Sequence, residues 1–93
     1  TENYKRFPSI IIEILSPSTE AFDRGDKFSD YQQIPTLQEY VLISTKKPKI
    51  EIFKRHEKGL WILQSYTSEQ VNYELESINF QGLITDLYED VNF

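Results

Sequence analysis

The sequence has no cysteine and a single histidine, His56. The first absence excludes disulfides, thiolate metal sites and thiol catalysis. It also suits a cytoplasmic protein, because disulfides belong to oxidising compartments. Positive charge is scarce: ten Lys and Arg stand against fifteen Asp and Glu, for a net charge of -5. A surface that coats nucleic acid is normally basic, so contact with DNA has to come from local positive patches. No apolar run approaches the roughly 18–20 residues that a membrane span needs. The polar stretch 1–8, with Lys5 and Arg6, lacks the pattern of a secretory signal. The expectation is a cytoplasmic chain with no membrane partner.

Aromatic residues are plentiful: six Tyr, six Phe and one Trp among 93 residues. That load argues against disorder and for one small domain over residues 1–93. Ile10 to Leu15 is rich in β-branched residues and ends in a turn, which predicts a buried central strand. Ser16 to Glu20 is a helix-start cluster, in which a hydroxyl caps free amides and Glu20 complements the dipole. The spacing predicts a helix from about 19 to 33. Gly25 weakens it by ~1 kcal/mol relative to Ala, and Pro35 limits it.

Glu39 to Ser44 predicts a second strand. Strand, helix and strand at this spacing make a βαβ unit with parallel strands. Lys49 to Lys54, Leu60 to Tyr66 and Val71 to Leu75 predict an antiparallel meander, with a polar turn at 55–59. Leu83 to Val91 carries apolar residues near helical spacing and predicts a short helix. The fold class is therefore α/β, with a mixed sheet and one crossover helix.

Glu13 is the residue out of place in this pattern. It interrupts the apolar run Ile10 to Leu15, and a buried charge costs several kcal/mol unless compensated. Ile11, Glu13 and Leu15 share one strand face, while Ile10, Ile12 and Ile14 share the other, the natural core face. On the helix, Asp23, Lys27 and Tyr31 lie four apart on one stripe, so Lys27 can reach Glu13 from the layer above. The plain alternatives are a surface ion pair between Asp23 and Lys27, and a Glu13 that reaches water or sits in a structural ion pair. A helix aromatic such as Tyr31 is more often core than site. Ser16 and Ser18 read as caps, and His56 as a solvated turn residue. Lys46, Lys47 and Lys49 form a basic cluster that could touch phosphates, although such clusters usually just keep a loop soluble. Trp61 is expected to pack on the sheet.

The pattern E-x-L-S-x-S-T over residues 13–19, then Asp23, Lys27 and Tyr31, then Glu39-Tyr40, closely resembles the Uma-type restriction-endonuclease family (domain of unknown function 820) of the PD-(D/E)XK nuclease superfamily. The resemblance extends to the 49–54 strand and to Leu87-Tyr88-Glu89. It implies a restriction-endonuclease-like fold and Mg²⁺-dependent hydrolysis of DNA. Glu13 would be a metal ligand and catalytic residue, and Lys27 the catalytic lysine. The superfamily's strand lysine is absent here, since position 15 is Leu, and Lys27 fills its place from the helix. Ser9 does not stand in for the superfamily's Asp, which is expected on a strand ahead of Thr1. The chain would then be the C-terminal part of a longer domain, inactive alone. Its exposed sheet edge would pair with another copy. The alternative is a non-catalytic interaction or dimerisation module.

Overall fold

Two aliphatic runs lie side by side as parallel strands, β1 at Ile10–Ile14 and β2 at Glu39–Ile43, with Glu13 opposite Leu42. The structure, a computed structural model, describes residues 8–16, 23–67 and 72–88, without the side chains of Asp23 and Arg24. Strand β3 (Ile50–Arg55) pairs antiparallel with β2, and β4 (Trp61–Tyr66) antiparallel with β3. The result is a mixed four-stranded sheet in the order β1-β2-β3-β4. The fold is α/β and consistent with a restriction-endonuclease-like architecture.

Alternation along the strands gives the sheet two distinct faces. One face carries Ile11, Glu13, Tyr40, Leu42, Phe53 and Trp61, as the register requires. A helical segment covers it: a π-helical turn at Asp23–Lys27 running into the α-helix α1 (Phe28–Tyr31). Phe28 stacks on Tyr40 at 5.1 Å between ring centroids and meets Phe53 at 4.5 Å and Trp61 at 5.3 Å. Such aromatic contacts contribute about 0.5–1.5 kcal/mol each beyond burial. The expected packing of Trp61 on the sheet is observed. The helical segment is shorter than the predicted span, ending at Tyr31 before Pro35; residues 19–22 lie outside the described residues.

The opposite face carries Val41, Ile50 and Ile52. It is covered by a second sheet of β5 (Asn72–Leu75) and β6 (Phe80–Leu83), followed by α2 (Ile84–Leu87). Here the predicted meander is corrected, because β5 leaves β4 and pairs with β6. The reason lies in the alternation of β5: Tyr73 and Leu75 turn inward onto Val41, Ile50 and Ile52, while Asn72 and Glu74 face water. A Cβ at position 82 would lie 2.9 Å from the Tyr73 hydroxyl, so Gly82 lets that ring pass close to β6. The predicted tail helix starts one residue later, because Leu83 ends a strand, and is helical over Ile84–Leu87; residues 89–91 lie outside the described residues.

The prediction of a buried central strand at 10–15 is also corrected. Strand β1 is an edge of the four-stranded sheet. Leu15 is buried and Ile11 half-buried, but Ile12 and Ile14 are 48% and 68% exposed. The β5–β6 layer reaches far enough to pack on Ile10, not to cover the rest of that face. Among the described residues no helix is long and apolar enough to cross a membrane.

Candidate functional site

Strand alternation turns Glu13 toward the helical layer together with Ile11 and Leu15. Lys27 is the last residue of the π-helical turn and Tyr31 the last of α1. Both reach the same carboxylate. Lys27 Nζ lies 3.4 Å from Glu13 Oε1, and the Tyr31 hydroxyl donates to Glu13 Oε2 at 2.9 Å. The Lys27 side chain is 32% exposed and that of Glu13 22%. The pair is therefore neither sealed nor freely solvated, and it lies open to a ligand approaching from the sheet edge.

The π-helical turn matters for this convergence. Such turns are rare overall and are frequent at functional sites. Tyr31 stands at the edge of Tyr40, with ring centroids 5.3 Å apart, so its ring is core while its hydroxyl serves Glu13. Of the two roles open to Tyr31, core and site lining, the structure shows both. The side chain of Asp23 lies outside the described residues, as does Ser18. Ser16 is half-buried, and His56 is exposed in the β3–β4 turn.

Two charged residues that sequence reasoning passed over hold the frame. Arg55, at the end of β3, donates from Nε to the Leu37 carbonyl at 2.6 Å. Its Nη2 reaches the Ile34 carbonyl at 2.9 Å and the Gln32 carbonyl at 3.3 Å. Its guanidinium also lies over Trp61, 4.5 Å from the ring centroid. Arg55 thereby fastens the segment after α1 to the sheet and fixes where the helical layer ends. Glu39 is buried at 2% exposure and accepts from the Glu76 and Ser77 amides at 3.1 and 2.9 Å and from the Ser77 hydroxyl. It anchors the 3₁₀ turn Glu76–Ser77–Ile78 to β2. The sequence signals for it are a charge beginning an apolar strand and its place in the Glu39-Tyr40 part of the family pattern.

The donor set at Glu13 fits a divalent cation in part. A carboxylate has about four lone-pair sites, and the described contacts engage one on each oxygen, so a hard cation has an oxygen donor available. Mg²⁺ wants six oxygen ligands, several of them water. Among the described residues no group of three or more His, Cys, Asp or Glu is gathered to hold a metal. Glu13 suits one ligand position.

Residues 1–86 match the Uma2 family, described as "Putative restriction endonuclease". The chain is also similar to two proteins of Synechocystis sp. It is 36% identical over 87 residues to uncharacterized protein slr1290, covering 94% of this chain and 45% of that protein. It is 37% identical over 67 residues to uncharacterized protein sll1609, covering 72% of this chain and 38% of that protein. The chain thus spans less than half the length of the curated relatives it matches. It belongs to the Uma2 family.

Proposed function

We propose, from that membership, that the whole protein is a Mg²⁺-dependent DNA endonuclease whose site includes Glu13 as metal ligand and Lys27 as catalytic lysine. The observation that carries this reading is the convergence of Lys27 and Tyr31 on one strand carboxylate, at 3.4 and 2.9 Å. Glu13 presents a hard oxygen donor of the kind Mg²⁺ prefers. Tyr31 orients that carboxylate by holding Oε2. Lys27 places a positive charge beside it, where it can orient the attacking water or meet charge developing on the phosphate. When bound, Mg²⁺ supplies polarisation of a phosphoryl oxygen and a more acidic water. Family membership supports nuclease chemistry; the metal's identity and the residue roles are part of the proposal.

The test is Mg²⁺-supported DNA cleavage by the whole protein, its Lys27→Met variant and its Glu13→Ala variant, with calorimetric metal titrations alongside. Loss of one preorganised charge-stabilising donor lowers rates by about 10²–10³, and that is the loss expected for Lys27→Met with folding retained. Glu13→Ala is expected to lose metal binding. Full cleavage by a folded Lys27→Met protein would remove the lysine from the chemistry. One observation favours a second reading, a non-catalytic interaction module: both Glu13 oxygens already have protein partners. A whole protein that binds no divalent cation and leaves DNA intact would establish that reading instead.

A further inference from the structure

The loop between β2 and β3 carries three lysines within four residues, Lys46, Lys47 and Lys49, in a chain of net charge -5. Charge alone would make it an ordinary soluble loop. Its backbone, however, is tied down on several sides. The Thr45 hydroxyl donates to the Leu15 carbonyl at 2.7 Å, fixing the loop to the end of β1. The Ser44 amide donates to the Lys49 carbonyl at 3.0 Å, closing the loop at its base. The Lys46 amide donates to the Ser44 hydroxyl at 3.1 Å. Across that base lies the Tyr88 phenol, which accepts from the Lys49 amide at 3.4 Å and shares its proton between the Ser44 and Lys49 carbonyls.

Lys46 and Lys47 are exposed at the tip of this fastened loop, whereas Lys49 is half-buried and lies 3.9 Å from Glu51. The position is as informative as the rigidity. Strands β1 and β2 are parallel, so their carboxyl ends point the same way. In open α/β sheets, ligands bind beyond those carboxyl ends. Glu13 lies near that end of β1, opposite Leu42, and Lys46 follows Leu42 by four residues. Strand β2 ends at Ile43, and the loop that follows turns back into β3 at Ile50, so Lys46 and Lys47 lie past the carboxyl end of β2, the same end of the sheet near which β1 carries Glu13.

We infer that the loop tip, Lys46 and Lys47, is a phosphate-backbone contact that holds a DNA duplex at the sheet end nearest the Glu13–Lys27 site. The inference rests on the nuclease reading above and names the surface by which the site's substrate is held. Fixing the loop backbone in advance lowers the ordering cost of the contact. Tyr88 acts here as a positioning residue. The contact is indifferent to sequence, as backbone contacts are.

The experiment compares the whole protein with its Lys46→Gln/Lys47→Gln double variant, measuring duplex DNA binding against salt and cleavage against DNA concentration. Lys58→Gln, in the turn at the opposite end of the sheet, controls for mere loss of charge. Each lost phosphate contact lowers the magnitude of the log K against log salt slope by about 0.9, so a drop of about 1.8 is expected for the double variant. KM is expected to rise by on the order of tenfold at low salt while kcat is unchanged, with Lys58→Gln close to the parent. If the parent binds and cleaves DNA and the double variant keeps its slope and KM, the inference is overturned and the nuclease reading stands. If the parent neither binds nor cleaves DNA, the nuclease reading fails and this one falls with it. Loss of binding to anionic phospholipid vesicles with DNA binding intact overturns it in favour of a membrane surface.

Discussion

Replacing Arg55 with Met removes the guanidinium that ties the segment after α1 to the sheet. Three carbonyls lose their donor: those of Gln32, Ile34 and Leu37. Leu37 is fully buried, so water cannot easily replace the shortest of the three bonds. Hydrogen bonds to a charged group are worth about 1.5–3 kcal/mol each. The three share one side chain and are not additive, and the Arg55 side chain is half-exposed, which admits water to the weaker pair. The stack on Trp61 adds about 0.5–1 kcal/mol at a partly exposed site. A net loss of about 2–4 kcal/mol follows, while the methionine keeps the apolar stem packed. At about 4–8 °C per kcal/mol for a domain this size, Tm should fall by about 10–25 °C. Arg55→Lys should recover less than half of the loss, since an ammonium cannot span the fork. Thermal and denaturant melts of the three proteins decide the matter. A loss under about 0.5 kcal/mol in Arg55→Met would refute the clamp.

Glu39→Ala should destabilise by about 2–4 kcal/mol, because two amides and a hydroxyl lose a buried acceptor; Glu39→Gln should cost less, and equal melting of Glu39→Ala and parent would show that water serves the turn. At alkaline pH three groups act in one direction. Lys54 is raised above its ordinary 10.5 by its hydrogen bond from Nζ to Glu76, against some burial, and also by nearby negative charge. Tyr73 is raised above 10.0 by burial and then by the charge of Asp86. Tyr88 is raised above 10.0 by burial, partly offset by its bonds to Lys49 and Ser44. The folded state thus holds protons more tightly than the unfolded chain, so this stability is full below about pH 10 and lost as pH rises through the folded values. Denaturant melts across that range should show stability falling, with a shallower fall in Tyr88→Phe; a flat profile to high pH would contradict the three shifts together.

Much of the α/β frame was legible because local pattern and tertiary demand agreed. The β1 and β2 runs, the parallel pairing and the β2–β3–β4 order follow from apolar alternation and connection length. The partner of β5 was not legible. Alternation marks Asn72–Leu75 as a strand, but whether it extends the sheet or covers its face depends on how much apolar surface Val41, Ile50 and Ile52 leave open. Composition alone did not mark β1 as an edge, since Ile12 and Ile14 have the composition of a central strand and yet lie exposed; only the resemblance led to an exposed edge there. The Glu13–Lys27 juxtaposition was anticipated from spacing and resemblance. The Tyr31 bond was legible only in part: spacing put Tyr31 on the Lys27 stripe, but an aromatic ring there reads first as core, and the structure uses the ring for packing and the hydroxyl for Glu13.

The sharper question is why Glu13 and not Glu39 is the candidate ligand, since both are carboxylates in adjacent apolar strands. The register answers it. Glu39 stands opposite Ile10, and Glu13 opposite Leu42, so the two point to opposite faces of the sheet. Glu39 is met by backbone amides of the 76–78 turn, donors that cannot leave without undoing that turn. Its charge is fully used in folding, and a cation there would have to break structure. Glu13 is met by two side chains, a half-exposed lysine at 3.4 Å that can swing aside by rotamer change and a phenol at 2.9 Å whose ring stays packed on Tyr40. Its partial exposure keeps a route for an incoming ligand. A partly exposed carboxylate at a sheet edge with one exchangeable donor can accept a ligand without undoing the fold, whereas one held by amides in the core cannot.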